Sequence, residues 1–389
     1  KEESQLILIQ NGTVYTMTAE EPVRVDILVE DGKIQRIESA ITPQADWQVI
    51  DAAGLRVYPG FIDAHCHLGM SEEAIGFEGN DVNEATDPVT PQIRAIDGFN
   101  PTDRAVAEAC SAGVTCVATG PGSANVVGGQ FAAIKTYGRR VDKMIVKAPL
   151  AMKVAFGENP KRVYNNKQKM PSTRMGTAAL LRQTLTEAIN YMKKREKDPD
   201  TPVDFKLEPL IPVLKREIPL KAHAHRADDI FTVIRIAREF HIRFTLDHCT
   251  EGHLITDELA EENVQAIVGP SFGSRSKFEL TNKTFDTPKA LYEAGIPFAI
   301  MTDHPVIPCQ YLPLCAALSH KAGLPAMEAV KAITIRAAQI LGLEDRIGSL
   351  EVGKDADIVL YAGDPMEDIE AHCVMTIVGG KIVSDRRGA

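Results

Sequence analysis

The 389-residue chain contains no apolar run approaching the roughly 18 residues that a membrane-spanning helix requires. It also lacks a surplus of positive charge. Its 43 Lys and Arg against 53 Asp and Glu leave a net charge of −10, which argues against a general nucleic-acid binder, because neutralising phosphates takes an excess of cations. No CxxC pair is present. The seven cysteines (66, 110, 116, 249, 309, 315 and 373) are odd in number and scattered, so reduced thiols are expected rather than a disulfide framework. Lys1-Glu2-Glu3-Ser4-Gln5 holds no apolar signal core. The glycine-rich stretch Thr119–Gly129 lacks the GKS/T ending of a phosphate-binding loop. What remains is an ordinary globular composition, 44% hydrophobic and 25% charged, long enough for one large and one smaller domain. These exclusions fit a cytoplasmic enzyme with a small-molecule substrate and no nucleic-acid or membrane partner. Association into a homo-oligomer is left open.

Both ends read as β structure. Leu6–Gln10, Asp26–Glu30 and Lys33–Glu38 are strand-like, and Asp31-Gly32 is a two-residue hairpin turn in which glycine supplies positive φ. Near the other end, Asp357–Tyr361, Met375–Val378 and Lys381–Val383 repeat the pattern, with Gly379-Gly380 as the turn. One small β domain built from residues 1–59 and 343–389 is expected. Between them, residues 60–342 alternate apolar strands with amphipathic helices, the pattern of a parallel sheet. Seven strands are legible: Phe61–Ala64, Val114–Ala118, Met144–Val154, Leu220–Ala224, Arg243–Asp247, Val264–Val268 and Phe298–Met301. An eighth is expected near Val203–Leu207, where the pattern is poor. Helices are expected over Thr177–Arg195 and, as one unit, over Ala326–Leu341 with Gly342 as its cap.

The chemistry collects at strand ends. His65-Cys66-His67 follows the first strand, and residues i and i+2 of a strand share a face, so both imidazoles can meet one metal ion. His223 and His225 end a later strand and His248 ends the next. Asp303, followed by His304, ends the last. A single strand-ending histidine is more often a structural residue than a ligand; four such strand ends in one chain are hard to explain that way. Imidazoles with a carboxylate suit Zn²⁺ and related divalent metals, and barrel active sites sit at the C-terminal ends of strands.

Tyr58-Pro59-Gly60-Phe61-Ile62-Asp63-Ala64-His65-Cys66-His67 resembles the PGxIDxHxH opening of the amidohydrolase superfamily. Gly348-Ser349-Leu350-Glu351-Val352-Gly353-Lys354-Asp355-Ala356-Asp357-Ile358-Val359 resembles its closing GxLxxGxxADxV signature. The two motifs bracket nearly the whole chain, and the imidazolonepropionase-like branch is the most similar. The resemblance implies a distorted (β/α)₈ barrel with a small β sandwich formed from both termini. It implies one or two divalent ions, zinc foremost, held by His65, His67, His223, His248 and Asp303, with Asp303 as catalytic acid and base. His223 is the favoured ligand of its HxH pair because the family uses the first histidine. His225, Arg226, Asn125 and His304 are then candidates for holding substrate, against structural alternatives. Arg226 can pair with Asp228 or Asp229, and the Asn125 loop can be a plain turn.

A second ion needs a bridging carboxylate. Glu158, just past the third strand, is the expected bridge, since amino-sugar deacetylases of the superfamily use a third-strand Glu. Lys153, modified by carbon dioxide, is the alternative. The activity implied is hydrolysis of a C–N bond in a small amide, cyclic amide, acylated amino acid or dipeptide. A deaminase is disfavoured because Arg226 stands where deaminases carry Glu, three residues after the strand-five histidine. A non-catalytic scaffold is disfavoured because such relatives lose ligands that this chain keeps.

Overall fold

The computed structural model describes residues 6–387; Lys1–Gln5, with the missing signal core noted above, lie outside the described residues. Six strands precede the barrel: β1 (Ile7–Gln10), β2 (Thr13–Val14), β3 (Asp26–Glu30), β4 (Lys33–Glu38), β5 (Gln48–Asp51) and β6 (Arg56–Pro59). Eight follow in one sheet: β7 (Phe61–Cys66), β8 (Val114–Thr119), β9 (Val127–Lys135), β10 (Ile145–Ala155), β11 (Leu220–Ala224), β12 (Phe244–His248), β13 (Ala266–Val268) and β14 (Phe298–Ile300). Three close the chain: β15 (Ile358–Ala362), β16 (His372–Val378) and β17 (Lys381–Asp385).

The termini form two sheets, β4-β3-β1-β5 and β17-β16-β15-β6-β2. Ile7, Ile9 and Ile27 of the first share one buried cluster with Val57, Ile358, Leu360 and Ile377 of the second, so the sheets face each other as a sandwich. The hairpin turns lie where the sequence places them: Asp31 and Gly32 have φ of 50° and 79°, and Gly379 and Gly380 have 54° and 74°.

In the barrel sheet the order runs β7 through β14 consecutively. All seven expected strands are present, but the eighth is not at Val203–Leu207. It is β9, which pairs antiparallel with both β8 and β10. Thr119–Gly129, read from sequence as a glycine-rich loop, is thus loop only at its start. From Val127 onward the apolar run Phe131–Ile134 lies buried in the sheet. Its two adjacent glycines hide the strand's start from a pattern reading, because Gly is a poor strand former.

The seam between the first and last strands closes just beyond β14, where Asp303 N–H donates to His65 C=O (3.2 Å) and His67 N–H to His304 C=O (2.9 Å). Lower down, Ile62 and Ile300 amides donate to Ile333 and Ala332 carbonyls. This wedge explains why the expected single helix over Ala326–Leu341 is two, Ala326–Lys331 and Ile335–Leu341. Carbonyls at 332–333 accept from strand amides instead of continuing the helix. Gly342 caps the second helix in the left-handed conformation, φ 66°. The earlier helix runs Arg174–Lys197, with Thr173 Oγ1 accepting Gly176 N–H at its start.

Candidate metal centre

Three histidines converge from the ends of two strands, β7 and β12, with the same ring nitrogen engaged. His65 Nδ1 lies 2.5 Å from Asp247 Oδ2, His67 Nδ1 2.7 Å from Gly120 O, and His248 Nδ1 2.8 Å from Gly269 O. Carbonyl and carboxylate oxygens only accept, so each Nδ1 carries the proton and each Nε2 turns toward the barrel mouth. This is how metal-ligating histidines are held by a second layer of partners. Gly269 is needed for its own reason: φ is 133°, and a Cβ there would stand 2.7 Å from Met301 O.

Asp303 Oδ1 lies 3.2 Å from His67 Nε2 and 3.6 Å from His65 Nε2. Its side chain is 14% exposed, against 0% for His65 and Asp247, so Asp303 is the carboxylate of this group that faces the open mouth. Both His248 (φ 76°) and Asp303 (φ 55°) adopt the left-handed region, which costs a non-glycine residue about 1–2 kcal/mol. Such strain persists where surrounding structure over-determines a conformation, as at functional sites.

Burial sets the protonation states. It pushes His65, His223 and His225 well below the ordinary histidine range and His248 down to about 4, so these rings are neutral and able to ligate at neutral pH. Burial works in the opposite direction on Asp303, but the facing imidazoles of His248 and His67 outweigh it and hold the carboxyl below its usual range. Asp63, fully buried, is pushed up to about 7 by desolvation. It accepts from Thr302 Oγ1 (2.5 Å) and His65 N–H (3.2 Å), tying β7 to the end of β14.

Two sets of donor atoms lie mutually within 4.8 Å: His65, His248 and Asp303, and His223, His225 and His248. Either could hold a divalent cation, and His248 belongs to both. The structure therefore places His225 among the candidate ligands, beside His223. His225 Nδ1 bonds Thr250 Oγ1 at 2.7 Å, while its Nε2 and both nitrogens of His223 are buried with no hydrogen-bond partner among the described residues. Unpartnered buried polar atoms are costly and rare. A bound cation would satisfy them.

The third-strand residues divide against expectation. Glu158 heads the helix Glu158–Asn166, 30% exposed, and its carboxylate turns to Arg162 at 3.9 Å, away from the imidazoles. It lies beyond the strand's end, where the chain has already turned into the helix. Lys153, inside β10, is fully buried with Nζ 3.1 Å from His65 Nε2, and burial pulls its amine down to about 8. The geometry thus brings Lys153, and not Glu158, to the histidines.

Of the remaining substrate-contact candidates, Asn125 and Arg226 are engaged in structural bonds. Asn125 Nδ2 donates to Glu84 O and Thr90 Oγ1 (both 2.8 Å), and its Oδ1 accepts from Tyr164 Oη (2.5 Å), binding the segment after β7 to the β8–β9 loop. Arg226 makes a forked pair with Asp228 at 3.0 and 2.9 Å, as its structural alternative expects. His304 is buried, its Nδ1 accepting from Cys309 N–H at 3.2 Å and its Nε2 without a hydrogen-bond partner among the described residues.

Sequence reading missed Asp247, a second strand-end carboxylate beside His248. It orients His65 and also lies 2.9 Å from Lys221 Nζ. Its adjacency to His248 was the available signal. Also missed was Glu279, which is 1% exposed and 3.6 Å from His225 Nε2. It comes from a loop with no regular pattern, so nothing local marks it.

A barrel of eight strands whose C-terminal ends gather inward-facing imidazoles and carboxylates defines a TIM-like barrel with a donor set able to hold divalent metal. The model of the Amidohydrolase family matches residues 56–383, and the chain belongs to that family. It is similar to an amidohydrolase of known structure from Thermotoga maritima MSB8, with 45% identity, a TM-score of 0.95 and coverage of 98% of this chain and 100% of that one. Amidohydrolase tasK of Hapsidospora irregularis is 30% identical over 92% of the chain, which spans only 41% of that relative's length. An imidazolonepropionase from a Polaromonas strain is 22% identical over 86% of the chain and 82% of its own length.

Proposed function

We propose that the chain is a metal-dependent hydrolase that cleaves a C–N bond of a small amide, cyclic amide, acylated amino acid or dipeptide. The observation that carries this reading is that His65, His67 and His248 all have Nδ1 engaged by an oxygen. Each Nδ1–H is spent on an oxygen, which leaves each Nε2 lone pair as the donor a cation can use, with Asp303 Oδ1 near those of His65 and His67 and Lys153 Nζ beside that of His65. Similarity to proteins bearing the names amidohydrolase and imidazolonepropionase supports it.

His65, His67 and Asp303 would hold one ion and His223, His225 and His248 a second, with zinc favoured by the donor types. When bound, a divalent metal supplies Lewis acidity to the attacking water and the scissile carbonyl. Asp303, ionised and facing the mouth, accepts the proton of the attacking water and delivers it to the leaving nitrogen. Asp247 and the Gly120 and Gly269 carbonyls keep the rings from rotating. Lys153, with its Nζ 3.1 Å from His65 Nε2, would join the donor set once carbamylated. Its lowered affinity for a proton leaves a fraction of free amine near neutral pH, which adds to carbon dioxide to give a carbamate and a released proton.

Elemental analysis followed by a screen of N-acyl amino acids, dipeptides and cyclic amides tests the proposal. Metal in the purified protein with turnover of one of these classes supports it. Protein that takes up no Zn²⁺, Mn²⁺ or Co²⁺ would sink it.

A further inference from the structure

Between β13 and the helix Thr287–Glu293 the chain makes a long excursion, and residues 277–279 of it return to the barrel mouth. Glu279 is 1% exposed. Its Oε1 lies 3.6 Å from His225 Nε2 and 3.9 Å from His223 Nε2, and its Oε2 accepts Glu158 N–H at 3.0 Å. Lys277 Nζ stands 2.6 Å from the same Oε1 and donates to Asn159 Oδ1 at 3.1 Å. Gly157 leaves the carboxylate its room, since a Cβ there would be 2.6 Å from Glu279 Oε2.

A simple buried ion pair accounts for Lys277 and Glu279 but leaves the imidazoles unexplained. His225 Nε2 and both His223 nitrogens are buried without hydrogen-bond partners among the described residues, and the two Nε2 atoms face the Glu279 carboxylate. Two donors on one tetrahedral zinc, with bonds of about 2.0–2.2 Å, sit about 3.4 Å apart. Donors 3.6 and 3.9 Å apart with no hydrogen bond between them are close to that spacing.

We propose that Glu279 is a ligand of a divalent cation held with His223 and His225, so that a loop carboxylate completes the second side of the metal centre. This rests on the metal-site reading above and extends it to a residue outside the barrel strands. Lys277 and the Glu158 amide then orient the ligating carboxylate, as partners of metal-bound carboxylates commonly do. Ligation also ties the β13–β14 connection to the barrel, so loading the ion rigidifies residues 277–280.

The test uses full-length protein stripped by a chelator and reloaded with Zn²⁺ alone, with zinc per chain and its retention against a weak chelator measured. Glu279→Gln is expected to lose one of two ions, or to hold it at least about tenfold more weakly. Lys277→Gln, which keeps the carboxylate and removes only one of its orienting partners, is expected to weaken retention less than Glu279→Gln does. Should Glu279→Gln fail to fold, hydrogen exchange on the wild type decides: amides 277–280 should slow on zinc loading. The proposal is overturned if Glu279→Gln binds zinc like the wild type, if Lys277→Gln loses the ion as fully, or if exchange at 277–280 is indifferent to zinc. A wild type that binds no zinc removes the metal-site reading as well, whereas normal loading in both proteins removes this assignment alone.

Discussion

The two sides of the metal centre are built differently. On the side of β7, the Nδ1 atoms of the ligand histidines and the carboxylate behind them have partners: His65 has Asp247, His67 has Gly120, and Asp247 is itself held by Lys221 and Thr245. On the side of β11, both His223 nitrogens and His225 Nε2 are buried without hydrogen-bond partners among the described residues. The first side is preorganised by the protein, whereas the second leaves desolvated groups for a ligand to satisfy. Metal should therefore stabilise the second side more than the first, through binding to the folded state alone.

The largest expected effect is on the preorganised side. His65→Ala with His67→Ala should remove most bound metal, measured by elemental analysis; full occupancy in that variant would break the picture of both sides at once. Asp303→Asn removes the proton acceptor at nearly constant size. Turnover should fall by about 10²–10⁴-fold while the melting temperature of the metal-free protein stays close to wild type. Near-normal turnover would assign the proton to another group.

Asp247→Asn weakens the partner of His65 without touching the donor set. A loss of about 10–100-fold in zinc affinity is expected, and an unchanged affinity would mean the His65 ring is held by packing alone. The third-strand pair sharpens the comparison further. Lys153→Gln should lower stoichiometry from about two ions to about one, while Glu158→Gln should leave it unaltered. The reverse result would restore Glu158 as the bridge. Smallest of all is Arg226→Ala, which removes a partly exposed forked pair with Asp228 and should shift stability by less than about 1 kcal/mol in a denaturant titration.

Legibility followed the same division. His65, His67, His248 and Asp303 were readable because each ends or follows an apolar strand, and β alternation puts His65 and His67 on one face. Lys153 lies within a readable strand, yet its role depends on His65 of β7, a strand not adjacent to its own and 88 positions earlier. Glu158 looked suitable because it follows the strand, but the helix beginning there turns its carboxylate outward. β9 escaped because Gly128 and Gly129 read as loop, while pairing of Val127 and Gly129 with β10 makes this stretch strand. The helix over Ala326–Leu341 carries an unbroken apolar rhythm, and only the seam's demand for carbonyls at 332–333 breaks it.

By itself, the sequence determined the alternating barrel, the β-rich ends with their glycine turns, and the strand-end histidines, because these depend on periodicity and local backbone preference. The tertiary structure decided which side chains meet. Asp247 orients a histidine 182 positions away, and Glu279 faces His223 and His225 from a loop without pattern. Barrel closure sets those distances, and no local propensity encodes them.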